Sequence, residues 1–121
     1  MTIRYRAACG LLVLGALLGP GSAAVAAGGV NQATADKLIS YVNSQGLACM
    51  SCHGVTEKKI GPAWIDVARK YQGDPKARSE VAQRIEKGGS GIWGQTPMPP
   101  GMANHEQSEA LAKMILELAD K

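Results

Sequence analysis

Four stretches of this chain repeat apolar residues at three- and four-residue intervals, and no stretch alternates apolar with polar long enough to read as a strand. Leu38, Ile39 and Val42 share one face of a predicted helix that Thr34 caps and Gly46 ends. Trp64, Ile65, Ala68 and Tyr71 make a second stripe, with Pro62 at a first helical position and Gly73 as the stop. Asp74-Pro75 repeats that start signal ahead of Ala77, Val81 and Ile85, and Gly88-Gly89 closes this third helix. The fourth has the best local signals: Asn104 as cap with Gln107 three residues on, then Leu111, Met114, Ile115 and Leu118 on one face. Residues 47–61 keep no period. From Gly88 to Gly101, five Gly and three Pro among fourteen residues exclude helix and central strand. That predicts a long irregular loop, of the kind usually kept for function. The fold class is all-α, three to four short helices with long loops.

The first 27 residues belong to a different pattern. Arg4 and Arg6 precede the apolar run Leu11 to Leu18, a Gly-Pro-Gly-Ser break follows, and Ala24-Val25-Ala26 ends the segment among small residues. This is the layout of a secretory signal peptide, with cleavage expected near Ala26 or Ala27. The run is too short for a bilayer core, which needs roughly 20 apolar residues. Cys9 lies before the run and leaves with it. Residues 28–121 are then the single mature domain.

The chain of 121 residues carries a formal charge of +3, too small and too scattered for a nucleic-acid surface. Removing residues 1–27 takes away two Arg and no acid, leaving 11 basic and 10 acidic side chains. Aromatic residues make up 4% of the chain and Phe is absent, so the aliphatic filling is thin for short helices that need a common apolar centre. A large apolar cofactor would supply that centre. Export places Cys49 and Cys52 in an oxidising compartment, where they need an assignment.

Cys49-Met50-Ser51-Cys52-His53 is the Cys-x-x-Cys-His pattern of covalent c-type haem attachment. Two cysteines three apart on one turn reach the two vinyl groups on one porphyrin edge, and the next residue brings an imidazole under the iron. A structural zinc site needs four Cys or His ligands, and the mature chain offers only His105 beyond these three. A dithiol exchanger would expect a βαβ setting that the pattern does not show. The second axial ligand is sought among four Met. Met50 is tied to the His53 side, and Met114 falls on the apolar face of the last helix as core filling. Met98 is favoured over Met102 because Thr96-Pro97-Met98-Pro99-Pro100 is a stiff extended segment that holds a weak sulfur ligand at small ordering cost.

With Lys59-Ile60-Gly61-Pro62-Ala63-Trp64, Ala82-Gln83-Arg84-Ile85, Gly91-Ile92-Trp93-Gly94 and Pro97-Met98-Pro99-Pro100, the attachment motif resembles the small bacterial class I cytochromes c over roughly residues 34–120. The resemblance implies a helical fold around one haem, with the first and last helices crossing near it, and an electron shuttle of the periplasm. It implies that the Pro62 carbonyl accepts a hydrogen bond from His53, and that Arg84 and Trp93 donate to a haem propionate. Many relatives have Asn after the Pro-Pro pair where this chain has Gly101, and Gly46-Leu47-Ala48 lengthens the approach to Cys49.

Three functions are set against one another. The first is an outer-sphere carrier with His53 and Met98 on the iron, monomeric, meeting redox proteins of the respiratory chain in brief contacts, with Lys58 and Lys59 as a solvated pair or as steering charges. The second is a haem enzyme or small-ligand binder with an open sixth position, for which no distal His or Arg remains once His53 and Arg84 are assigned. The third is a dedicated subunit of one oxidoreductase.

Overall fold

The computed structural model describes residues 28–120, so the signal-peptide expectation lies outside the described residues. Four α-helices follow in order, α1 Gln32–Ser44, α2 Trp64–Lys70, α3 Ala77–Lys87 and α4 His105–Leu116, with a short 3₁₀ turn at Cys49–Ser51. Among the described residues the only strand-like pairings are three isolated bridges. The all-α expectation holds. α4 packs on α1, α2 and, most extensively, α3.

α4 starts where the local signals put it. The Asn104 side chain accepts from the Gln107 N–H at 2.9 Å, and the Gln107 side chain accepts from the Asn104 N–H at 3.0 Å, a reciprocal capping box. α1 begins earlier than expected. Asn31, not Thr34, is its cap, and its side chain accepts from the Thr34 N–H at 3.0 Å. The reason is long-range: the Asn31 N–H donates to Leu118 O at 2.8 Å, and Val30 pairs with Ala119, so the far end of the chain fixes where the helix turns in.

Two start signals are displaced. Pro62 precedes the first residue of α2 by two positions, and Ala63 is the cap. Asp74-Pro75 forms a turn rather than the first turn of α3; the Asp74 carboxylate accepts from the Lys76 N–H at 2.8 Å, and Lys76 is the cap. α2 ends at Lys70, before Gly73.

The buried cluster mixes Ala with aliphatic side chains and one Trp. Six of its sixteen buried members are Ala, and Leu38, Leu111 and Leu118 are its largest fully buried members. Burying each such Leu contributes roughly 2 kcal/mol. Met114 packs half-buried against this cluster, as core filling. α4 ends at Leu116, so Leu118 fills the core from the turn beyond the helix.

Candidate haem-binding cleft

Between the helices and the two long loops opens a cleft of ≈ 310 Å³. Its back is apolar, with Val67 from α2, Val81 and Ile85 from α3, and Leu111 and Ile115 from α4. One wall is the segment from Cys49 to Pro62, the other the loop from Gly89 to Met102.

The first wall is tied together by its own backbone. The His53 N–H donates to Cys49 O at 3.0 Å, closing the turn that carries both cysteines, and the Gly61 N–H donates to Cys52 O at 2.8 Å. Lys59 Nζ reaches back to Met50 O at 2.8 Å, so of the two neighbouring lysines it is a staple across this turn rather than a free steering charge. His53 Nδ1 lies 2.8 Å from Pro62 O. A carbonyl only accepts, so Nδ1 carries the hydrogen, and in the neutral ring Nε2 keeps the lone pair. That explains the position of Pro62 ahead of α2: its carbonyl serves the His53 ring. The ring also stacks on Trp64, centroids 6.0 Å apart at 14°. Gly61 leaves room for it, because a Cβ there would overlap the imidazole.

Cys49 and Cys52 are free thiols at the edge of the cleft, each half-buried. Partial burial pushes the Cys49 thiol above its ordinary range, against a smaller lowering by its own backbone hydrogen bond. Among the described residues no group of three His, Cys, Asp or Glu gathers as a metal cluster.

The second wall is loop. Gly88 adopts φ 67°, ψ −155°, a conformation essentially reserved for glycine, and lets the chain turn out of α3. Gly89 and Met98 then exchange both backbone hydrogen bonds at 3.0 Å, and the Gly101 N–H donates to Glu86 O at 2.9 Å. Met98 is half-buried, lines the cleft and is held between Pro97 and Pro99. Met102 also lines it, whereas Met50 and Met114 do not. Arg84 and Trp93 reach the cleft from α3 and from the loop tip; Arg84 Nη1 lies 3.5 Å from Gly88 O. Two residues were missed in sequence: Lys70, whose ammonium stands 5.6 Å from the Trp93 ring centre, and Glu86, whose carbonyl accepts from Gly101 and whose carboxylate lies 3.0 Å from His105 Nδ1. Both act on partners distant in sequence, and no periodicity marks them.

These residues fit a haem. Two free thiols sit at one edge, one imidazole has its Nδ1 occupied and its Nε2 available, a thioether stands on the other wall, and the apolar back lies behind the space between. The match to known proteins points the same way. Residues 41–119 match the family model described as cytochrome c. The cytochrome c-552 of Hydrogenobacter thermophilus is 45% identical over 84 residues, 66% of this chain and 85% of that protein. The cytochrome c-551 of Pseudomonas aeruginosa is 44% identical over 68 residues, 56% of this chain and 65% of that protein. The crystal structure of wild-type cytochrome c552 from Nitrosomonas europaea superposes with a TM-score of 0.60 at 38% identity, covering 66% of this chain and 98% of that one.

Proposed function

This chain belongs to the cytochrome c family, a small class I monohaem electron carrier rather than an enzyme, and from that premise we propose how its own residues divide the task. Cys49 and Cys52 would hold the haem c as thioethers, and His53 and Met98 would supply the two side-chain ligands to its iron. Pro62 orients His53; Arg84 and Trp93 hold a propionate. The observation that carries this reading is that all seven residues line one cleft, although they are spread over 50 positions of sequence from Cys49 to Met98.

Bound there, haem c supplies a one-electron ferric–ferrous couple. The protein's part is to hold and to exclude. Pro62 O fixes the tautomer and plane of His53, which raises its basicity as a ligand. Met98 offers a neutral thioether that needs no deprotonation, on a segment whose prolines have already given up backbone freedom. The apolar back of the cleft keeps water from the centre. Ile60 and Ile92, 65% and 45% exposed, stand at its mouth, where a small short-lived contact with a redox partner suits an exposed edge. The partners are respiratory-chain donors and acceptors. The site of action is the periplasm, reached through a signal peptide of residues 1–27 that is removed to leave a monomeric domain of residues 28–121.

The ferric spectrum of the holoprotein tests the assignment. Thioether–iron ligation produces a weak long-wavelength absorption band; Met98→Ala is expected to erase it and lower the midpoint potential, and Met102→Ala to leave it in place. A band that survives Met98→Ala and disappears with Met102→Ala moves the ligand. Carbon monoxide binding to the parent reduced protein would instead favour the open sixth position.

A further inference from the structure

Residues 90–97 are exposed without exception, and the loop they form is pinned only at its base, where Gly89 pairs with Met98. At the tip the Gly91 N–H donates to Gly94 O at 2.7 Å, a bond internal to the turn. Among the described residues no hydrogen bond joins 90–97 to the helical body. Gly91 and Gly94 both have positive φ, at 100° and 125°, and neither carries a side chain to pack the tip on either side of Trp93. Yet Trp93, a residue whose use depends on where its indole N–H stands, lines the cleft from this position.

A cation–π contact reaches it from outside the loop. Lys70 Nζ stands 5.6 Å from the Trp93 ring centre, within the range at which the negative face of an indole attracts a cation. Lys70 is on the last turn of α2, whose Trp64, Ile65, Val67 and Ala68 are buried, so its backbone is fixed to the core. Its ammonium has no carboxylate partner among the described ion pairs.

We infer that Lys70 is a positioning residue: its ammonium holds the Trp93 ring against the end of α2 and thereby sets the indole at the mouth of the cleft. The consequence for electron transfer rests on the reading that Trp93 donates to a haem propionate. Lys70 then acts twice on the couple, by fixing that donor and by placing a positive charge near the site, which favours the ferrous state with its extra electron.

Hydrogen exchange on the holoprotein tests the tether. In Lys70→Met, which keeps the stem and removes the cation, exchange of the Gly91 amide is expected to rise about two- to five-fold, as loss of an exposed cation–π contact dictates. Amides of α3 and α4 should not change, and Lys70→Arg should restore the parent rate. In a Trp93→Leu background, Lys70→Met should add nothing. Unchanged exchange in Lys70→Met, or an equal rise in Lys70→Arg, overturns the tether. The midpoint potential separates the haem reading from the tether. A larger drop on Lys70→Met in the parent than in Trp93→Leu supports both. Equal drops, with the exchange response intact, keep the tether and remove the propionate role of Trp93.

Discussion

Gly61 stands on one wall of the cleft and Gly88 at the root of the other, and their reasons for being glycine differ in part. At Gly61 the backbone is ordinary and space is the constraint: a Cβ would come within 2.8 Å of His53 Nδ1 and 2.9 Å of its Nε2. At Gly88 two constraints act together: the dihedral pair, φ 67° and ψ −155°, and space, because a Cβ would overlap the backbone of Met98, Pro99 and Pro100. The His53 wall is therefore a packed assembly, in which backbone hydrogen bonds and a stacked tryptophan confine a ring. The Met98 wall is a bent strip, stiffened by proline and pinned at its base. A packed wall fails when volume is added; the bent strip fails on that ground and also when a torsion is forbidden.

Substitutions at the two positions break the comparison in turn. Gly61→Ala should cost about 3 kcal/mol of stability, because the imidazole must leave its place between Pro62 and Trp64. Denaturant midpoints of the holoprotein measure it, and loss of parent-like His53 ligation should accompany it. Gly88→Ala should cost about as much, about 3 kcal/mol, because the residue is forced into a glycine-only region and its Cβ overlaps the backbone of Met98 to Pro100, and it should weaken the thioether band while leaving His53 undisturbed. If both variants disturbed both ligands equally, the walls would not be separate structures.

A weaker test concerns the base of the Met98 strip. Glu86 accepts the Gly101 N–H on its carbonyl, and its carboxylate lies 3.0 Å from His105 Nδ1 on the first residue of α4. The hydrogen bond to Glu86, and then its charge, raise the His105 pKa above its ordinary 6.5. A raised pKa in the folded state means that the contribution is complete below pH 6.5 and fades as pH rises through the folded value. The pair is fully solvated, so the melting temperature should fall only slightly over that range. His105→Gln should flatten the fall; a slope that persists in the variant would assign it to another group.

How far the sequence revealed this arrangement depends on how local each determinant is. The capping box of α4 is legible because Asn104 and Gln107 are three residues apart and act on each other. The Cys-x-x-Cys-His motif is legible for the same reason, since one turn contains it. Thr34 and Asn31 are equally good caps by residue type, and the choice was settled by Leu118 and Ala119 at the other end of the domain. Pro62 reads as a helix start, but its carbonyl was already committed to His53. Lys70 and Glu86 were illegible because a polar side chain with a partner distant in sequence leaves no trace in apolar spacing.

The pairing of Val30 with Ala119 and the bond from Asn31 to Leu118 bring the two ends of the domain to one place. Leu111 and Ile115 of α4 complete the back of the cleft, so the pocket comes into being only when the last quarter of the chain has docked. Until then the cysteine-bearing turn, near the middle of the polypeptide, sits in an unfinished enclosure with one side missing. A bulky disc can be laid against that turn from the open side and walled in afterwards, with no need to prise apart a finished protein.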